Sequence, residues 1–111
     1  MSKRIYTNRE IQETIARVIS EFSQSDLNKY CRITDSKRDF NLNFSLLYKV
    51  PYYHSKIEKS KMVKDHNGIA RWTWKFEFTK NGYVYAISTQ WYARNDAYVQ
   101  SWLKKHDRKQ T

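Results

Sequence analysis

A chain of 111 residues with four Trp, nine Tyr and five Phe, but only two Gly and one Pro, can build one aromatic core, which excludes a disordered or low-complexity chain. Its single cysteine, Cys31, excludes an intrachain disulfide and a cysteine cluster for zinc. Lys and Arg number 21 against 11 Asp and Glu, for a formal charge of +10, more than the roughly 2–8 units that solubility asks of a small domain. The excess is uneven: residues 1–48 hold 8 basic and 6 acidic side chains, whereas residues 49–111 hold 13 and 5. Such a concentration favours a polyanionic partner.

The first predicted element is a helix. Thr7-Asn8-Arg9-Glu10 has the spacing of a capping box, and Ile11, Ile15, Val18, Ile19 and Phe22 follow as one apolar stripe. Residues 23–39 are polar; Ser25 or Asp26 can cap a short helical turn carrying Leu27, Tyr30 and Cys31, the cysteine being read as a small buried residue and not a nucleophile. Phe40, Leu42, Phe44, Leu46, Tyr48 and Val50 then alternate with polar neighbours, Leu47 being the exception, which predicts a strand with one buried face. Pro51 ends it. Residues 52–68 read as a long basic loop with His54, Lys56, Lys59, Lys61, Lys64 and His66.

A hairpin follows. Trp72, Trp74, Phe76 and Phe78 alternate on the way into Asn81-Gly82, and Tyr83, Tyr85, Ile87 and Trp91 alternate on the way out. A two-residue type I′ turn there pairs Lys80 with Tyr83, Phe78 with Tyr85, Phe76 with Ile87, Trp74 with Thr89 and Trp72 with Trp91, placing every apolar ring on one face. A closing helix is expected with Asn95 as its N-cap, Asp96 in its first turn and Lys104, Lys105 and His106 at its C-terminal end, before a frayed basic tail at 106–111. The sum is a single α+β domain over residues 1–111: an N-terminal helix, a three-stranded antiparallel sheet and a C-terminal helix, both helices on one sheet face.

If the helices cover the apolar face, the other face displays Arg71, Thr73, Lys75, Glu77, Ser88, Gln90 and Tyr92, with Arg94 beside them. Cations neutralise phosphates, Gln, Ser and Thr bond to phosphate, sugar or base, and Tyr stacks on an unpaired base. That face and the loop lysines Lys56, Lys59, Lys61 and Lys64 are the expected nucleic-acid site, with RNA preferred to DNA. A metal-independent ribonuclease of toxin or bacteriocin type stays open, with His54, His66 and Glu77 as acid and base. So does a phage-type inhibitor that binds an acidic protein or a nucleoprotein. No phosphate loop, zinc motif or EF-hand is present, so no metal and no cofactor are expected. With no apolar run of ~20 residues, no membrane association is expected either, and a cytoplasmic location is.

The helix–three strands–helix order resembles that of double-stranded RNA-binding domains. Those open their last helix with a lysine cluster that meets phosphates. Here Asn95-Asp96-Ala97-Tyr98 opens it and the lysines lie at the far end, so the likeness stops at the order of elements and assigns no family.

Overall fold

In the computed structural model, which describes residues 5–52 and 71–106, four helices pack on one face of a three-stranded antiparallel sheet. The basic loop residues from His54 to His66 and the tail beyond His106 lie outside the described residues. No described helix is long and apolar enough to cross a membrane.

Helix α1, Asn8–Ile19, starts on the expected capping box: Glu10 N donates to Thr7 Oγ1 (3.1 Å) and Thr7 N donates to Glu10 Oε1 (3.1 Å). Ile11, Ile15, Val18 and Ile19 are buried along its inner stripe. Helix α2, Gln24–Lys29, is capped two or three residues earlier than expected, with Asp26 N donating to Ser23 Oγ (3.2 Å). Helix α3, Ile33–Phe40, occupies a polar stretch for which the sequence predicts no helix, and it ends where Asn41 turns left-handed (φ 59°), a conformation Asn tolerates. Among the described residues the order is thus three helices, three strands and a helix, and the likeness to the double-stranded RNA-binding order does not extend to it.

Strand β1 is Leu47–Pro51, much shorter than the predicted 40–50, and its faces are reversed. Leu47, the apparent exception, sits in the core opposite Ile87, while Tyr48 and Val50 turn to the other side. Phe40, Leu42 and Leu46 are buried as the alternation requires, but from a helix end and a loop. Long-range bonds hold that loop: Leu46 N donates to Ser36 Oγ (2.8 Å) and Leu47 N to Tyr30 O (2.9 Å).

Strands β2, Trp72–Lys80, and β3, Tyr83–Ser88, form the hairpin, with β3 central in the order β1-β3-β2. Near the turn the expected register is present: Lys80 opposes Tyr83 and Phe78 opposes Tyr85, their rings stacked at 5.0 Å. Asn81 (φ 53°) and Gly82 (φ 84°) both take the positive φ that a type I′ turn needs. Farther out the register shifts. Residues 74–77 lie opposite the single residue Ala86, so Thr73 faces Ile87 and Trp72 faces Ser88. An odd number of extra residues exchanges the two faces beyond the bulge. The expected pairs Phe76–Ile87, Trp74–Thr89 and Trp72–Trp91 are therefore corrected. Thr73 Oγ1 accepts from Lys75 N (3.1 Å), a local turn that competes with the ladder.

Phe76 and Phe78 still pack against the helix-side core, but Trp72 and Trp74 turn to the opposite side and meet Tyr48 at 5.3 and 6.3 Å. Trp72 Nε1 donates to Ser45 O (3.0 Å), whereas the buried Nε1 of Trp74 has no partner. Helix α4, Ala93–His106, begins before its expected cap. Asn95 is instead buried in its first turn, where Nδ2 donates to Phe40 O (2.8 Å) and Asn41 O (3.0 Å). Trp91 and Trp102 meet Phe40 at 5.8 and 5.1 Å, closing an aromatic core in which each fully buried ring contributes about 1.5–3 kcal/mol.

Candidate functional site

The bulge decides where the polar side chains go. Because the far side of the sheet is occupied by Tyr48, Trp72 and Trp74, with Val50, Val84 and Ala86 buried there, it is not the open cationic face expected from the sequence. The predicted residues separate into three groups.

Five of them gather. Arg71, Ser88, Gln90, Tyr92 and Arg94 line a cleft of about 130 Å³ together with Leu42, Asn43 and Phe44. It opens where β3 has ended and α4 begins. Two guanidinium–ring pairs flank it: Arg71 lies 4.3 Å from the centroid of Phe44 and Arg94 lies 4.8 Å from that of Tyr92. Such contacts help hold an arginine in place. Tyr92 is 47% exposed, and its hydroxyl donates to Gln90 Oε1 (2.7 Å). Gln90 is fixed in turn, its backbone N donating to Ser88 Oγ (3.2 Å) and its Nε2 to Thr89 Oγ1 (3.0 Å). Ser88 is almost fully buried, so its hydroxyl positions Gln90. Thr89 N donates to Arg71 O (2.9 Å), which ties the arginine-bearing strand end to the other wall.

The Tyr92–Arg94 corner is fixed by Asn95. Its Oδ1 accepts from Tyr92 N (2.8 Å), while its Nδ2 grips the end of α3. The cleft thus sits at the positive end of the α4 dipole, worth roughly half a unit charge. The acidic residue of that first turn, Asp96, is buried, with Oδ2 accepting from Ile5 N (2.7 Å). Two arginines, a helix start and an exposed ring thus meet at one corner of the fold.

Three predicted residues lie elsewhere. Thr73 is on the Ile87 side of the bulge. Lys75 is exposed, with Nζ 5.8 Å from the Phe76 ring. Glu77 lines a separate depression between α1 and β2 with Glu13 and Arg17, so it does not share the arginine cleft. The third group, His54, His66, Lys56, Lys59, Lys61 and Lys64, lies outside the described residues. The acid–base set expected for RNA cleavage is therefore not assembled among the described residues. Nor do any three His, Cys, Asp or Glu side chains among them converge for a metal. The Cys31 thiol is partly buried, and burial, the larger cause, pushes its pKa up against the pull of Lys49 and Arg32.

Sequence reasoning misses Asn43 and Phe44 as cleft residues. Phe44 was expected on the buried face of a strand, and no local pattern announces that it will support Arg71, 27 positions away. No protein-family model, curated protein or solved structure matches this chain.

Proposed function

We propose that this protein binds single-stranded nucleic acid, RNA in preference to DNA, with an unpaired base seated beside Tyr92 and its phosphates met by Arg71 and Arg94. The observation that carries the reading is the pair of ring-supported arginines around one small cleft at the start of α4. Size favours a single strand. This cleft measures about 130 Å³, close to the roughly 150 Å³ of a cavity that holds one benzene ring, so its scale matches one ring better than a base pair. Base stacking on an aromatic side chain tolerates any sequence, and the amide and hydroxyl groups of Asn43, Gln90 and Tyr92 suit a ribose 2′-hydroxyl. The +10 charge supplies long-range attraction.

Titrating labelled single-stranded RNA, single-stranded DNA and duplex RNA at two salt concentrations tests this. Single-stranded RNA should bind best, with log K falling by about 0.7 per decade of salt for each phosphate engaged. Tyr92→Ala should weaken it by ~5–150-fold, the equivalent of about 1–3 kcal/mol of stacking, with the fold intact because the ring is exposed. Salt-indifferent binding, or equal affinity for the duplex with no effect of Tyr92→Ala, would overturn the reading and favour a protein partner.

A further inference from the structure

Helix α4 carries basic and aromatic groups beyond the cleft. Its only acidic residue is the buried Asp96, so its exposed side presents Arg94, Tyr98, Ser101, Lys104 and Lys105 with no opposing charge of its own. Arg94, Tyr98, Ser101 and Lys105 follow at steps of four, three and four, which brings them within roughly 60° of one another on the helix surface. Arg94 lines the cleft described above. Tyr98, Ser101 and Lys105 line a second depression of about 160 Å³ between α3 and α4, with Arg38 on its other wall. Tyr98, 42% exposed, stands between the two.

The second depression is built on the core. Tyr30 Oη accepts from Trp102 Nε1 (3.0 Å) and donates to Asp39 Oδ2 (2.7 Å), and Asp39 holds the Arg38 guanidinium at 2.8 and 3.2 Å. Asp35 approaches Arg38 as well, at 3.3 Å. These carboxylates offset Arg38, and Asp39 also feels Lys105, so the cation that α4 itself brings to the depression is Lys105, with the exposed His106 imidazole beside it.

Resting on the single-strand reading, we propose that the bound strand does not stop at the cleft but runs along the exposed face of α4 to the Lys105 depression, with Tyr98 as an intermediate stacking platform. The eleven residue steps from Arg94 to Lys105 span about 16 Å. At ~3.4 Å per phosphate of a stacked strand, that is about five nucleotides. Charge complementarity selects the occupant, since a polyanion with flat bases fits a face that alternates cations with an aromatic ring.

The test uses a labelled single-stranded RNA octamer with the full chain and four variants, each checked for folding by circular dichroism. Lys105→Glu should weaken binding roughly tenfold and lower the salt slope, and Tyr98→Ala should weaken it by at least about fivefold. Lys29→Glu, the same charge change at an exposed site on α2, should cost no more than about threefold. If Lys105→Glu and Lys29→Glu are equivalent, or Tyr98→Ala has no effect, while Tyr92→Ala still weakens the octamer, the path along α4 is wrong and the cleft stands. If Tyr92→Ala also has no effect, the single-strand reading itself falls.

Discussion

The tip of the β2–β3 hairpin and the segment from Ile33 to Leu47 are held by interactions of very different reach. At the tip, the two positive-φ residues Asn81 and Gly82 set the turn, and Phe78 stacks on Tyr85 seven positions away. Between Ile33 and Leu47 the decisive partners are distant. Asn95 grips the carbonyls of Phe40 and Asn41 from more than fifty residues along the chain, and Ser88 N donates to Leu46 O (2.8 Å). An apolar alternation such as that from Phe40 to Val50 is satisfied by any path that buries every second residue. A helix end and a loop do so here because remote side chains take up the backbone groups that a sheet neighbour otherwise would.

Substitutions can break that contrast, and the largest effect is expected at Asn95. Asn95→Ala orphans a buried carbonyl, a part-buried carbonyl and a part-buried amide at the joint of α3, the 41–46 loop and α4, at roughly 1–3 kcal/mol for the buried group and less for each of the others. Urea denaturation should show a loss of several kcal/mol; a loss below about 1 kcal/mol would mean that the joint does not rest on this side chain. Ser36→Ala comes next. It leaves the Leu46 amide without its acceptor and should cost about 1–3 kcal/mol in the same assay.

The tip should be less sensitive. A Cβ at Gly82 meets nothing within 4 Å, so Gly82→Ala carries only the cost of a left-handed backbone, about 1–2 kcal/mol. A larger loss would reveal a tertiary role for a turn that looks local. The smallest effect concerns Asp39, which anchors Tyr30 at the end of α2. The hydrogen bond from Arg38, the first cause, and that from Tyr30 hold its carboxyl below the ordinary value of 3.8, against the opposing effect of burial. A depressed pKa contributes stability that is present in full above pH ~4 and is lost as acid protonates the folded state. Asp39→Asn should therefore flatten the acid limb of a stability–pH profile measured between pH 2 and 5; a limb unchanged in the variant would assign it to other carboxylates.

The same contrast explains how much of the candidate site was legible. The sequence marks Arg71, Gln90, Tyr92 and Arg94 by residue type, and they do come together, but for another reason than a shared strand face. The three extra residues of β2 turn Trp72 and Trp74 away from the helices and bring Arg71 to Phe44. A bulge stabilised by Thr73 and by rings across the sheet leaves no mark on hydrophobic periodicity, because Trp72 and Trp74 bury apolar surface on either side. Thr73, Lys75 and Glu77 were drawn into the expected face by the same unbroken register, and they leave it for the same reason.

Local chemistry alone determined the capping box of α1, the Asn81-Gly82 turn and its first pairs, the α+β class, and a basic surplus concentrated in the second half of the chain. Each depends on residues within a few positions of one another or on composition. Only the tertiary structure decided that Asn41 stops a helix instead of joining a strand, that the tryptophans of β2 face away from the helices, and that two arginines meet over rings at the start of α4. Those outcomes depend on which distant group satisfies a buried amide or carbonyl, and hydrogen-bond partners tens of residues apart have no signature in sequence spacing.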